Sequence, residues 1–268
     1  MKALIALLVV LVLAIAGAVG YYYIKSATGD TPDVPANTQQ SGAATVTAGD
    51  KKKPFVQADV VDNLDAATRM NTDTVAWLQV PNTDINDSVL QAIDNWYYLR
   101  RNEKKEDSVY GCYFADYECQ IGAQEVFAGN TVIYGHSDLK DNKDGPKFSQ
   151  LFRFTELEFA EKTPYIYLTT EDGKTTWQIF SAFYTNINFD YIGVHLEPAE
   201  VQKLAADAAK LSLYDYGVKV SGEDKLLTLS TCSVRDGADG TNRFVIMAKM
   251  LPQNAQEQPL KLTEKALK

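Results

Sequence analysis

Three textures of hydrophobic and polar positions follow one another along the chain. Ala3 to Ile24 is an uncharged, mostly apolar run of 22 positions bracketed by Lys2 and Lys25. At about 1.5 Å per residue, a helix of this length crosses the roughly 30 Å hydrocarbon core of a bilayer. Tyr21, Tyr22 and Tyr23 add aromatic rings suited to a membrane interface. Residues 1–25 therefore predict an N-terminal membrane anchor. The alternative is a cleaved leader with Ala14-Ile15-Ala16 as its small-residue site, although the apolar stretch exceeds the usual leader core of about 7 to 15 residues. Both readings export the remainder. Residues 26–59 are rich in Thr, Ala, Gly, Pro, Asp and Gln, too polar to bury a core, and read as a flexible extracytoplasmic linker. Residues 252–268 are similarly polar and read as a frayed or loosely helical tail.

The pattern changes at residues 60–251, the predicted folded domain. One or two helical segments open it: Val60 to Met70, then a turn from Asp73 to Leu78 capped by Asn71 or Thr72. Short β-branched and aromatic runs bounded by Gly, Asp or Asn follow at Val109–Phe114, Glu125–Tyr134, Tyr165–Thr169, Thr175–Thr185, Lys225–Thr231 and Arg243–Leu251. A late helix spans Pro198 to Leu211, with Val201, Leu204, Ala205 and Ala208 on one face. Many strands with few helices predict a mostly antiparallel, closed or nearly closed β-barrel.

The net charge of −9 and pI near 4.8 oppose a nucleic-acid binder, which needs clustered cations to meet phosphates. Lys51-Lys52-Lys53 lies in the linker and reads as a solvated run. Three cysteines do not make a disulfide framework, and the odd count leaves a thiol unless it pairs between molecules.

Only two histidines are on offer for acid–base chemistry. His136 follows a strand ending in Gly135, where the backbone can turn and present the ring; His195 reads as a surface or loop residue. Cys232 ends the strand-like run Leu226–Thr231, again at a strand terminus where clefts form. Cys112 and Cys119 flank a six-residue segment; small buried apolar side chains are the favoured reading and a disulfide the alternative. A thiol near pKa 8.5 needs activation by a base or cation. If the runs at 226–231 and 243–250 are antiparallel neighbours, Arg243 lies beside Cys232 and can stabilise an oxyanion; Arg235 is the second choice. Either arginine could instead serve a solvated salt bridge to Asp236 or Asp239.

Thr228-Leu-Ser-Thr-Cys232, with Arg243 opening a strand eleven positions later, resembles the TLxTC…R motif of sortases, and Tyr134-Gly-His136 resembles their histidine motif. Asn71 to Leu78, Asp94 to Leu99 and Tyr110 to Asp116 are similar to the opening of class B sortases. The resemblance implies an eight-stranded β-barrel with N-terminal helices and a helix in the connection before the nucleophile strand. It implies a transpeptidase in which Cys232 attacks after a threonine of a C-terminal sorting motif, through a thioester. An amine of a peptidoglycan precursor, or a pilin lysine, then resolves it. His136 would be acid and then base, and Arg243 the oxyanion stabiliser. By the same resemblance Tyr191 and Ile192 are pocket-wall candidates, and Leu99, Ser230 and Thr231 further substrate contacts; ordinary barrel packing is the competing reading for these.

The loop Ser137–Pro146 is longer and more acidic than the family pattern leads one to expect, yet Asp138, Asp141 and Asp144 are spaced by three rather than two, against a calcium loop. The histidines and cysteines lack zinc spacing, so no metal or other cofactor is expected. A papain-type protease would place Cys before His, the reverse of the order here. A non-enzymatic anchored surface domain, with Cys232 merely buried, is the remaining alternative.

Overall fold

The computed structural model describes residues 57–138 and 140–265. The expected anchor at 1–25, and the expected linker up to residue 56, lie outside the described residues. Among the described residues no helix is long and apolar enough to cross a membrane. Helix α1 (Gln57–Met70) starts three residues inside the stretch assigned to the linker and packs Leu64 and Ala67 inward. The second helical turn expected at 73–78 is instead strand β1 (Thr74–Gln79). Its Thr-Val-Ala-Trp-Leu-Gln sequence alternates in burial and suits a pleated ribbon paired on both sides.

The strands that follow are β2 (Asn86–Leu90), β3 (Tyr113–Ala115), β4 (Asn130–Tyr134), β5 (Tyr165–Thr170), β6 (Gly173–Asn186), β7 (Tyr214–Asp215), β8 (Leu226–Cys232), β9 (Asn242–Met250) and β10 (Thr263–Glu264). Eight of them close a barrel in the order β1-β2-β3-β4-β8-β9-β6-β5, with β5 returning to β1. Pairing is antiparallel except for β2 with β3 and β4 with β8. The predicted β-barrel class is thus observed. The strand expected from Glu125 starts only at Asn130, because Gln124–Val126 forms a 3-10 turn.

The barrel is filled by side chains such as Leu78, Val132, Leu168, Ile179, Leu229 and Ile246. Two short helical elements unforeseen from sequence, the 3-10 helix Lys147–Thr155 and α2 (Leu157–Lys162), add to it, with Phe148, Leu151 and Phe152 of the first in the same core. Helix α3 (Pro198–Leu211) matches its predicted limits and buries the four predicted residues, against Phe180, Phe183, Val245 and Met247 on the outer face. Glu197 and Glu200 form a capping box at its start. With α3 outside and the core inside, β8 is buried on both faces until its last residue, Cys232, which is exposed.

Among the described residues, the polar C-terminal stretch up to residue 265 is docked on the barrel and contains no helix. The Gln258 carbonyl accepts from the Tyr165 hydroxyl, Leu262 is buried, and Thr263–Glu264 pairs with Tyr214–Asp215. Glu257 accepts from the Tyr167 hydroxyl and the Leu262 N–H donates to Glu161, so side-chain and backbone bonds together dock an otherwise polar segment.

Candidate active site

The parallel register of β4 and β8 places Tyr134 beside Ser230, so both strands leave the barrel at the same rim. There Gly135 N–H donates to the Ser230 carbonyl (3.3 Å), Thr231 Oγ1 to the Gly135 carbonyl (2.8 Å), and Ser137 Oγ to the Cys232 carbonyl (2.6 Å). These bonds tie the chain around His136 to the chain around Cys232. Gly135 is required by space: a Cβ there would meet the Phe148 ring at 2.6 Å and the Tyr113 ring at 3.0 Å. Strand β9 runs back from this rim, antiparallel to β8, with Cys232 and Arg243 directly paired. The neighbour relation expected from sequence is observed, and directly opposed side chains on adjacent strands stand about 5 Å apart at Cβ.

Cys232, His136 and Arg243 line one cleft of ≈ 270 Å³, shared with Asn95, Trp96, Leu99, Phe114, Tyr134, Gly135, Ser230 and Thr231. His136 is half-buried, and its Nε2 lies 2.6 Å from the Leu99 carbonyl. A carbonyl can only accept, so Nε2 carries the hydrogen and Nδ1 is the unprotonated nitrogen of the neutral ring. Burial holds the imidazole below its ordinary value, the Leu99 carbonyl opposing and Arg100 reinforcing the shift. Arg243 Nη1 donates to the carbonyls of Gly240 (2.7 Å) and Asn242 (2.9 Å), which orients the guanidinium at the cleft edge.

Leu99, Ser230 and Thr231 are part of the cleft wall. Tyr191 and Ile192 do not line it. Tyr191 is buried beneath it, its hydroxyl 2.8 Å from Ser230 Oγ, while Ile192 faces solvent. An aromatic residue with a hydrogen-bond partner beneath the strand gains more there than at the surface. Sequence reasoning gave no role to Asn95, Trp96, Phe114 and Tyr134. Asp116, 5% exposed, organises this wall by accepting from Asn95 Nδ2 (2.7 Å) and from the Tyr134 hydroxyl (2.9 Å). The exposed Trp96 within Asp-Asn-Trp was the available signal.

Arg235 makes neither of the contacts considered for it: its guanidinium lies over the Tyr184 ring, 4.4 Å from the centroid, outside the cleft. His195 is exposed, as its loop position implied. Cys112 and Cys119 are unbridged and buried. Burial pushes the Cys119 thiol up to about 12 and the Cys112 thiol up as well.

The acidic loop after His136 is held by its own acids. Asp138 accepts from the Asn142 N–H, Asp144 pairs with Arg153, and Asp141 reaches across to Ser233 Oγ (2.6 Å) and Val234 N–H (2.9 Å) just after Cys232. Among the described residues no cluster of His, Cys, Asp or Glu could hold a metal ion. Beside the loop, Lys147 is gripped by Asp87 (3.0 Å) and Glu103 (2.6 Å), an ion triad that ties the start of the 3-10 helix to β2 and to the turn at Glu103.

Residues 78–251 match the Sortase domain family. The chain is 33% identical over 199 residues to sortase B of Listeria monocytogenes, covering 73% of this chain and 77% of the relative. Among solved structures, a Staphylococcus aureus sortase B–substrate complex superposes with a TM-score of 0.63 at 28% identity, covering 71% of this chain and 85% of that one. A sortase B complexed with triglycine gives a TM-score of 0.64 at 28% identity, over 74% and 89% of the two chains.

Proposed function

This chain belongs to the sortase family of cysteine transpeptidases, and we propose that Cys232, His136 and Arg243 are its catalytic residues. The observation that supports this reading best is the pairing of Cys232 with Arg243 on adjacent strands, beside the rim that carries His136.

In the neutral ring, with Nε2–H on the Leu99 carbonyl, Nδ1 is bare and takes the Cys232 thiol proton as the thiolate forms. The thiolate adds to the carbonyl carbon after the threonine of a sorting motif. Arg243, the cation beside the attacking sulfur, donates to the oxygen as it gains charge. When the tetrahedral adduct collapses, the C–N bond breaks, the departing nitrogen takes the proton from His136, and a thioester remains. An acceptor amine then attacks the thioester, gives a proton to Nδ1, and forms a new amide as the sulfur leaves. The thiolate recovers that proton. No water is consumed, and one amide replaces another.

The donor is a secreted protein with a C-terminal sorting signal, and the acceptor an amine of a peptidoglycan precursor or a pilin lysine. The substrate-bound and triglycine-bound relatives support a peptide donor and an amine acceptor. Leu99, Ser230 and Thr231 are substrate contacts in this reading, by their place in the cleft wall. The apolar run at 3–24 would anchor the chain by a single pass in the cell membrane, with 26–56 as an extracytoplasmic tether and the domain from residue 57 onward outside.

Mixing the full chain with sorting-motif peptides, with and without an amine acceptor, tests this. An amine-dependent ligated product is expected from the wild type, with turnover lost in Cys232→Ala and reduced by about 100-fold or more in Arg243→Ala. Release of peptide to water at the same rate with or without amine would favour a protease instead.

A further inference from the structure

The carbonyl that holds His136 is itself held from outside the cleft. Leu99 lies in the 3-10 turn Tyr97–Arg100, at whose start the Trp96 and Tyr97 N–H groups both donate to Asp94 Oδ1 (2.9 Å each). Its neighbour Tyr98 is 1% exposed, and the Tyr98 hydroxyl donates to Asp73 Oδ2 (2.5 Å) and accepts from Asn71 Nδ2 (2.8 Å). Asn71, 4% exposed, also donates to the Glu103 carbonyl (2.9 Å) and accepts the Asp73 N–H on Oδ1 (3.0 Å). Lys105 completes the set by pairing with Asp73 at 2.9 Å. The turn between α1 and β1 therefore grips the segment on both sides of Leu99, yet Asn71, Asp73 and Tyr98 do not line the cleft.

Gly111 lies close to the Leu99 carbonyl. Gly111 has φ +55°, and a Cβ there would lie 3.0 Å from the Tyr98 carbonyl, 3.3 Å from the Leu99 carbonyl and 3.4 Å from His136 Cδ2. Glycine at 111 thus leaves the Leu99 carbonyl and the His136 ring the space they occupy.

We propose that Tyr98, with Asn71 and Asp73, is a positioning residue: it keeps the Leu99 carbonyl on His136 Nε2–H, which aims Nδ1 and fixes the tautomer. This rests on His136 being the proton carrier. Buried hydrogen bonds with every partner matched specify one arrangement, and a group displaced by about 1 Å can cost on the order of 100-fold in rate.

The chain has two histidines, and His195 is exposed, so 15N-histidine labelling of the full chain gives a simple spectrum. The wild type is expected to show one slowly exchanging imidazole N–H, from His136 Nε2. Tyr98→Phe keeps the ring and removes the hydroxyl. It should lose that resonance to solvent exchange and lower kcat about 10- to 100-fold, with KM within about twofold. Asp73→Ala at the exposed end should act in the same direction, and Asp73→Asn, which keeps an acceptor for the tyrosine, should restore most of both signals.

A Tyr98→Phe protein with a lower melting temperature but an unchanged resonance and kcat would overturn the proposal. Should that variant not fold, the same result in Asp73→Ala overturns it. Full turnover in His136→Gln would overturn instead the proton-transfer role on which the proposal rests.

Discussion

Cys232 shares its thiol with Cys112 and Cys119 and differs from them in surroundings: one ends a strand in a cleft, the other two are packed in the core. Iodoacetamide should add a single group to the folded protein, at Cys232, and reach all the cysteines after denaturation; modification of Cys112 or Cys119 in the native state would contradict the burial. Gly135 is set by space. Gly135→Ala forces methyl against the Phe148 ring, so a loss of about 1–3 kcal/mol in denaturant unfolding is expected, together with reduced turnover as His136 is pushed off Leu99. His136 titrates below its ordinary 6.5 because burial penalises the cation. In acid the unfolded chain takes up a proton that the folded ring resists. The stability held by neutral His136 is therefore complete above the unfolded value and is lost as pH falls through the folded one. His136→Gln should flatten the acid side of the melting temperature against pH; an unchanged slope would assign that dependence to other groups. The proposed catalytic residues were legible because strand-terminal Gly-His and Thr-Cys followed by a strand-opening Arg carry both chemistry and register. Tyr191 and Ile192 were not, because facing in or out of a loop depends on partners such as Ser230 that are remote in sequence.

Among the elements, α3 was readable to its ends because a proline at its first turn and a four-residue apolar face act locally. β1 was misread because its start follows a helix and an Asn that caps either structure, while the barrel pairing that decides for strand comes from β5, far along the chain. The 3-10 helix Lys147–Thr155 was hidden for the same reason: Phe148, Leu151 and Phe152 acquire meaning only against the barrel. Asp141 links two elements that the sequence left separate, the loop after His136 and the loop after Cys232. Asp141→Ala removes two charge-assisted bonds, and a loss of about 1–2 kcal/mol is expected where the site is partly open to water. Hydrogen exchange at Val234 should accelerate in that variant; unchanged protection would show that the loop is held by other contacts.

The described domain is a barrel whose strand order brings three chain segments to one rim, and no single segment carries the site. The barrel class followed from many short strands and few helices, whereas the parallel pairing of β4 with β8, which puts His136 and Cys232 at the same end, has no local signal in either strand. The C-terminal stretch belongs to this unit through Leu262, Gln258 and β10. The measurement that bears most directly on the central claim is intact mass of the full chain after brief incubation with a sorting-motif peptide and no amine. A thioester adduct on Cys232, discharged by added amine and absent in Cys232→Ala, is the expected result. An adduct that persists in Cys232→Ala, or ligated product formed without one, would contradict the account.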